Sequence, residues 1–296
     1  MTNTLDSALR ECSDDIAREL HGILPEADGP ESRVHEAMRY ATLVGGKRLR
    51  PFLVLTSAEL FGVSRSSSLR VAAAVELVHT YSLIHDDLPC MDDDDLRRGQ
   101  PTVHVKYDEA TAVLAGDALL TLAFEVLGDE TCNPDPLIRA NLVVALAQAA
   151  GAHGMVAGQM IDLIAETVEF DVSKITRLQQ LKTGALIAFS CESGAILGRA
   201  SDQMRHALHA YAHDLGLAFQ IVDDLLDAEG DAEAMGKAVG KDEARGKATF
   251  VSVLGIERAR TQARMLADQA ASHLDPFGEK ANLLRDVAAF VIDRKI

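Results

Sequence analysis

Apolar residues recur at spacings of three and four along nearly the whole chain, the repeat of a helix with one buried face. Residues from about Asp6 to Leu24 read as an amphipathic helix with Leu9, Ile16, Leu20 and Ile23 as its stripe. After a loop over Pro25 to Glu31, Ser32 is expected to cap a helix running to about Val44. Pro51 to Phe61 and Ser68 to Asp87 read as a helical hairpin, and the run VAAAVELVHTYSLIH in its second arm is apolar enough to be buried. Gly99 to Pro101 turns the chain, and Ala110 to Leu127 reads as the next helix. CNPDP, Cys132 to Pro136, is a break. Leu137 to Ala165 reads as one long helix loosened by Gly151, Gly154 and Gly158. Asp171 starts another, which passes through LQQLKTGALIAFSCESGAILG. Ser201 to Asp227, Thr249 to about Leu274 and Lys280 to Ile292 complete the helices, with DPFG between the last two.

No stretch alternates with a period of two, so no strand is expected. No internal repeat and no linker divides the chain. The pattern predicts an all-α fold, a single helical domain over residues 1–296, with functional polar residues turned inward.

Composition narrows the function. The 296 residues carry a formal charge of −16, which argues against a general nucleic-acid binder and against adhesion to anionic membranes. Apolar residues make up 48%, enough for a large core. Cys12, Cys90, Cys132 and Cys191 form no C-x-x-C pair, so reduced thiols are expected rather than zinc or disulfides. The start MTNTLDSALRECSDDI has neither a basic nor an apolar region, and no run reads as long and apolar enough to span a bilayer. These features lead to the expectation of a cytoplasmic protein with no membrane span.

Two acidic clusters change the picture. His79 to Thr102 reads HTYSLIHDDLPCMDDDDLRRGQPT, with Asp86, Asp87, Asp92, Asp93, Asp94 and Asp95 followed at once by Arg97 and Arg98. FQIVDDLLD, Phe219 to Asp227, puts Asp223 and Asp227 on one helical face with Asp224 beside them. Taken alone, each cluster fits a solvated acidic face. Two such clusters at the ends of apolar helices call for cations. Pro89 breaks the first helix, and a turn there could return Asp92 to the side of Asp86.

Basic residues are scattered among them. GGKRLRP places Lys47, Arg48 and Arg50 beside two glycines, Lys182 interrupts an apolar helix, and Lys237, Lys241 and Lys247 lie in a glycine-rich stretch. Carboxylates holding Mg²⁺, with Lys and Arg completing a cage, suit a diphosphate with an apolar tail. The chemistry that fits is ionisation of a carbon–diphosphate bond, with a water-poor pocket sheltering the carbocation.

With GGKRLRP, the DDLPCMD–DDLRRG block, KTG, FQIVDDLLD and the GK…GK stretch in this order, the chain resembles the trans-prenyltransferases (short-chain polyprenyl diphosphate synthases), and among them the bacterial farnesyl diphosphate synthases. The resemblance implies an isoprenoid-synthase-type helical bundle with a central apolar cavity. It implies condensation of isopentenyl diphosphate with dimethylallyl and geranyl diphosphate, giving (2E,6E)-farnesyl diphosphate in a homodimeric enzyme. Asp86, Asp92 and Asp223 correspond to direct Mg²⁺ ligands, with Asp87, Asp224 and Asp227 as ligands or support. Three ions with substrate bound are implied, with Mn²⁺ able to substitute. Lys47, Arg50, His79 and Arg98 match positions binding the isopentenyl diphosphate; Arg97, Lys182, Lys237 and Lys247 match those holding the allylic one. Lys182, Thr183, Gln220 and Arg97 are the implied catalytic residues, with Thr183 and Gln220 near the developing cation. Released pyrophosphate takes the final proton, so no protein base is named. Tyr81, with Ser82 beside it, matches the position that limits product length. Two departures are small: Ala248 follows Lys247 where a hydroxyl is usual, and Gly158-Gln159-Met160 keeps one glycine of a usual pair.

The nearest competing reading is a geranylgeranyl diphosphate synthase, with the same chemistry and a longer product. A terpene cyclase would lack the second aspartate motif and the basic isopentenyl site, and a non-catalytic subunit would lack intact aspartate motifs.

Overall fold

The computed structural model describes residues 2–165, 167–168, 170–230 and 249–293. The first helices are α1 (Thr2–Ile23), α2 (Ser32–Leu43), α3 (Leu49–Glu59) and α4 (Arg65–Asp86). Helix α4 is the one the others surround. It packs against α1, α2 and α3, and its Val71-Ala72-Ala73-Ala74-Val75 run is wholly buried. Small side chains let neighbouring helices approach closely on every side, which is why α4 shows no single apolar stripe.

A short hairpin, β1 (Leu96–Arg97) and β2 (Gln100–Pro101), precedes α5 (Val103–Lys106) and α6 (Glu109–Gly128). The strands pair antiparallel, with Leu96 opposite Pro101. Arg98 and Gly99 both take positive φ, 52° and 73°, as a two-residue hairpin turn of this kind requires. The sequence expectation of no strand misses this element, because a two-residue ladder is too short to alternate. Tyr40 on α2 donates its hydroxyl to Pro101 O at 2.7 Å and ties the hairpin down.

The chain continues with α7 (Pro136–Ala150), α8 (Met155–Ala165), α9 (Val172–Gln179), a π-turn (Gln180–Gly184), α10 (Ala185–Leu197) and α11 (Asp202–Glu229). After the undescribed stretch come α12 (Phe250–Leu254), α13 (Ile256–His273), a 3₁₀ segment (Asp275–Ala281) and α14 (Asn282–Asp293). Helix α10 packs on α3, α4, α7 and α11, joining the two halves of the core.

Three boundary expectations are corrected. Ser32 is the first residue of α2, and Glu31 holds the cap position without a side-chain bond. The expected long helix over 137–165 is two helices, because the chain leaves helical geometry at Gly151. The expected helix over 249–274 is broken at Gly255, whose φ is 79°. Membrane-type apolarity also exceeds the sequence expectation. The α6 span and the 136–165 stretch reach the length and hydropathy of a membrane span, at mean hydropathies of 1.7 and 1.3. The second stretch is interrupted at 151–154, and the first is 44% buried within the fold.

Candidate active site

The C-terminal end of α4 does not simply stop at Asp86. After Pro89 the chain folds back over the helix end, and Asp92 N–H donates to Asp86 O at 2.8 Å while Asp94 N–H donates to Asp87 O at 3.2 Å. These bonds satisfy carbonyls that a helix terminus otherwise leaves open. They also return Asp92 to the side of Asp86, as the Pro89 break suggested. Asp93, at φ 52°, turns outward and is exposed.

Asp86 is half-buried. Burial raises its carboxyl to about 6; Lys182 and Arg97 pull it down, and Asp92 pushes it further up. A carboxylate held this way gains from a cation. Asp87 is 3% exposed and takes both Arg97 contacts, Nε to Oδ1 at 2.7 Å and Nη2 to Oδ1 at 2.6 Å. Burial raises the Asp87 pKa, against the pull of Arg97. Arg97 also lies 3.7 Å from Asp94. A cavity opens beside this pair, lined by Thr80, Ile84, Asp87, Arg97, Arg98 and Val103.

Lys182 sits in the π-turn between α9 and α10. Such turns insert an extra residue into a helix and often mark functional sites. Lys182 Nζ lies 2.7 Å from Asp162 Oδ2 on α8, a carboxylate only 8% exposed. The two elements meet backbone to backbone: a Cβ on Gly158 would lie 2.1 Å from Lys182 N. Gly158, the one glycine kept of the usual pair, is therefore the residue that admits the turn. Asp162 was missed from sequence. Its one signal was a lone carboxylate in the otherwise apolar MVAGQMIDLIA.

The same turn reaches α11. Thr183 Oγ1 donates to Gln220 Oε1 at 3.2 Å, and Gln220 Nε2 donates to Asp224 Oδ1 at 3.2 Å. Asp224, 5% exposed, also accepts from Phe250 N–H at 2.9 Å. Asp227 is buried and Asp223 half-buried. The π-turn thus places Lys182 within the field of the first aspartate cluster and Thr183 against the helix of the second.

A second group of cations lies about two turns earlier along α4, around His79. Arg50 Nη1 is 3.5 Å from His79 Nε2. Desolvation, then Arg50 and Arg98, hold the His79 imidazole well below its usual pKa, so it is neutral near pH 7. Arg98 donates to Gly45 O, and its guanidinium lies where a Cβ on Gly46 would be, 2.7 Å from Cζ. Lys47 is exposed on the same turn. Lys237 and Lys247 lie outside the described residues.

Tyr81 is 6% exposed and packs edge-on against His85, with centroids 5.7 Å apart. Burial, then Asp86, raises its phenol to about 12. Ser82 turns its hydroxyl back to His79 O at 2.9 Å.

The donor set fits Mg²⁺. Hard carboxylate oxygens arrive in two groups, and Asp86 and Asp92 repel one another where they stand. Among the described residues no three His, Cys, Asp or Glu side chains converge into a complete cage. That suits an ion held by one or two carboxylates and completed by water and phosphate oxygens.

Comparison with known proteins gives the same direction. The polyprenyl synthetase family model matches residues 31–285. The farnesyl diphosphate synthase of Escherichia coli (strain K12) is 47% identical over 271 residues, covering 88% of this chain and 89% of its own length. Among solved structures, an apo FPP/GFPP synthase from Zymomonas mobilis superposes with a TM-score of 0.91 at 52% identity, over 99% of this chain and all of its own. A geranyltransferase from Helicobacter pylori, complexed with magnesium and isoprenyl diphosphate, superposes at 0.84 with 33% identity, over 97% of this chain and 96% of its own.

Proposed function

Because the chain belongs to the polyprenyl synthetase family, we propose that it is a Mg²⁺-dependent prenyltransferase that joins isopentenyl diphosphate to dimethylallyl and then geranyl diphosphate, giving farnesyl diphosphate. The observation that carries this reading is the π-turn: Lys182, paired with Asp162, is near enough to Asp86 to lower its pKa, and Thr183 is bonded to the helix of the second cluster. In this reading the two acidic clusters and their cations serve one substrate position.

The H. pylori relative is complexed with magnesium and isoprenyl diphosphate; here Asp86, Asp92 and Asp223 would hold Mg²⁺, with Asp87, Asp224 and Asp227 in support, and the ion would supply Lewis-acid stabilisation of the leaving diphosphate. Three ions, replaceable by Mn²⁺, belong to this proposal. Lys182 and Arg97, with Lys237 and Lys247, hold the allylic diphosphate. Its C1–O bond breaks and the electron pair leaves with the diphosphate. Thr183 and Gln220 oxygens face the resulting allylic cation. The isopentenyl double bond attacks that carbon, and released pyrophosphate takes the proton that restores a double bond. Lys47, Arg50, Arg98 and His79 orient the isopentenyl diphosphate, with neutral His79 as a hydrogen-bond partner rather than a charge.

The two diphosphate sites are separable by kinetics. Removing one charge-assisted contact costs roughly 1.5–3 kcal/mol, about ten- to a hundredfold. Arg50→Ala is expected to raise the KM for isopentenyl diphosphate by that factor, and Lys182→Ala the KM for the allylic substrate. Equal effects of both variants on both substrates would refute the division.

We also propose a homodimer. Helices α6 and α7 pack side by side and leave Leu114 59%, Leu137 67% and Val144 55% exposed. Large apolar residues exposed along both helices suit a protein partner. Leu114→Asp combined with Leu137→Asp is expected to give a monomer in analytical ultracentrifugation. A dimer that persists in this variant argues for a different interface. A cytoplasmic location completes the proposal; Cys12, Cys132 and Cys191 are buried free thiols, as a reducing compartment allows.

A further inference from the structure

Lys47, Arg50, Arg98 and His79 are the residues proposed for the isopentenyl diphosphate. Arg48 lies between the first two in sequence and turns the other way. It is 4% exposed, its Nη1 is paired with Glu76 Oε1 on α4, and its Nη2 donates to Thr42 O at 2.7 Å. Glu76 is 2% exposed. The guanidinium is thus occupied inside the protein and offers nothing to a diphosphate.

Its backbone is unusual as well. Arg48 takes the left-handed conformation (φ 47°, ψ 37°) at the cap position of α3 and makes no side-chain cap bond there. A non-glycine residue holds such a conformation only when its surroundings enforce it. The enforcing contacts are the Glu76 pair and the Thr42 carbonyl. Arg98, also left-handed, closes on the same turn from the hairpin and donates to Gly45 O. Burial lowers the Arg98 pKa, and the Glu76 carboxylate opposes that shift. Glu76 also stands one helical turn before His79 on α4. One buried carboxylate therefore underlies the turn carrying Lys47 and Arg50, the arginine facing that turn and the helix face bearing His79.

Stability alone is a weak reason for such a pair, since apolar replacements of a buried ion pair are often neutral or stabilising. We propose that Glu76 and Arg48 are positioning residues for the homoallylic diphosphate site: by locking residues 45–50 in one backbone form they aim Lys47 and Arg50 at the anion that Arg98 and His79 also face. The proposal rests on the reading of that site given above.

The test separates position from stability. Arg48→Met combined with Glu76→Leu removes both buried charges together and is expected to keep a melting temperature near that of the parent. It is expected to raise the KM for isopentenyl diphosphate about tenfold or more while the allylic KM stays within about threefold. Glu76→Gln, nearly isosteric, is the second variant, in case the pair does not fold. It is expected to show the same one-sided rise, with partial recovery in Glu76→Asp. An isopentenyl KM within about twofold of the parent in a folded variant, or an equal rise for both substrates, overturns the proposal. Arg50→Ala is the control for the underlying reading. If it leaves the isopentenyl KM unchanged, the site assignment itself is wrong, whatever the Glu76 variants show.

Discussion

Asp86→Ala and Asp223→Ala are each expected to lower turnover by about three orders of magnitude or more, because metal stabilisation of a leaving diphosphate supplies several kcal/mol. The fold is expected to survive. Asp86 is a half-buried carboxylate raised to about 6 by burial, so losing it relieves a charge that the metal-free protein holds at a cost. Melting temperature in chelator should therefore not fall in Asp86→Ala. Added Mg²⁺ with a non-hydrolysable diphosphate should raise the melting temperature of the parent and not of either variant. Full activity in excess chelator, or variants within tenfold of the parent, would overturn the metal reading.

Tyr81→Ala is expected to move the main product from fifteen carbons to twenty or more, with the early condensations retained. Tyr81 precedes Asp86 by five residues on α4, which places it about 7 Å deeper along the axis. A tail growing away from a diphosphate held at Asp86 runs in that direction. Ser82 is small and bonded to its own helix, so it presents no block. Tyr81 lies about 140° around the helix from Asp86, and a core role without contact to the tail is the competing explanation. The two differ in two readouts. A pure core tyrosine cut to alanine leaves a new cavity, costs about 3–5 kcal/mol and leaves product length alone. A floor residue opens into an existing cavity, costs less and lengthens the product. A variant that still stops at fifteen carbons, or a parent that already makes mostly twenty, removes Tyr81 from the role and favours a longer-chain synthase.

The local parts of this site were legible because local rules determine them. Pro89 breaks the helix, which allowed the reading that Asp92 returns beside Asp86, and the bond from Asp92 N–H to Asp86 O is where the chain does so. The i, i+4 spacing of Asp223 and Asp227 put them on one face of α11 without reference to any other element. Parts that depend on distant partners were not legible. Asp162 matters because Lys182 lies against it, twenty residues away, and a lone aspartate in an apolar helix gives no hint of that. The π-turn depends on the backbone of α8 meeting it at Gly158, and KTG by itself reads as a break in an apolar helix. Arg48 and Arg50 look equivalent in GGKRLRP. Only the packed structure turns one toward Glu76 and leaves the other near His79.

Asp223 and Asp224 are neighbours in one motif, Asp223 half-buried and Asp224 only 5% exposed. Asp224 accepts the Phe250 amide and so closes a loop of chain 26 residues around. By polymer statistics, bringing such ends together costs about 3 kcal/mol of entropy before any constant term. The packing of α12 and α13 on α11 holds the same closure, and the Asp224 carboxylate adds a polar tie to it while also accepting from Gln220. Kinetics of an Asp224 variant therefore mix two quantities, the lost interaction at the site and the lost tie to the start of α12. They can be divided only in a thermodynamic cycle with a second change at the Phe250 end.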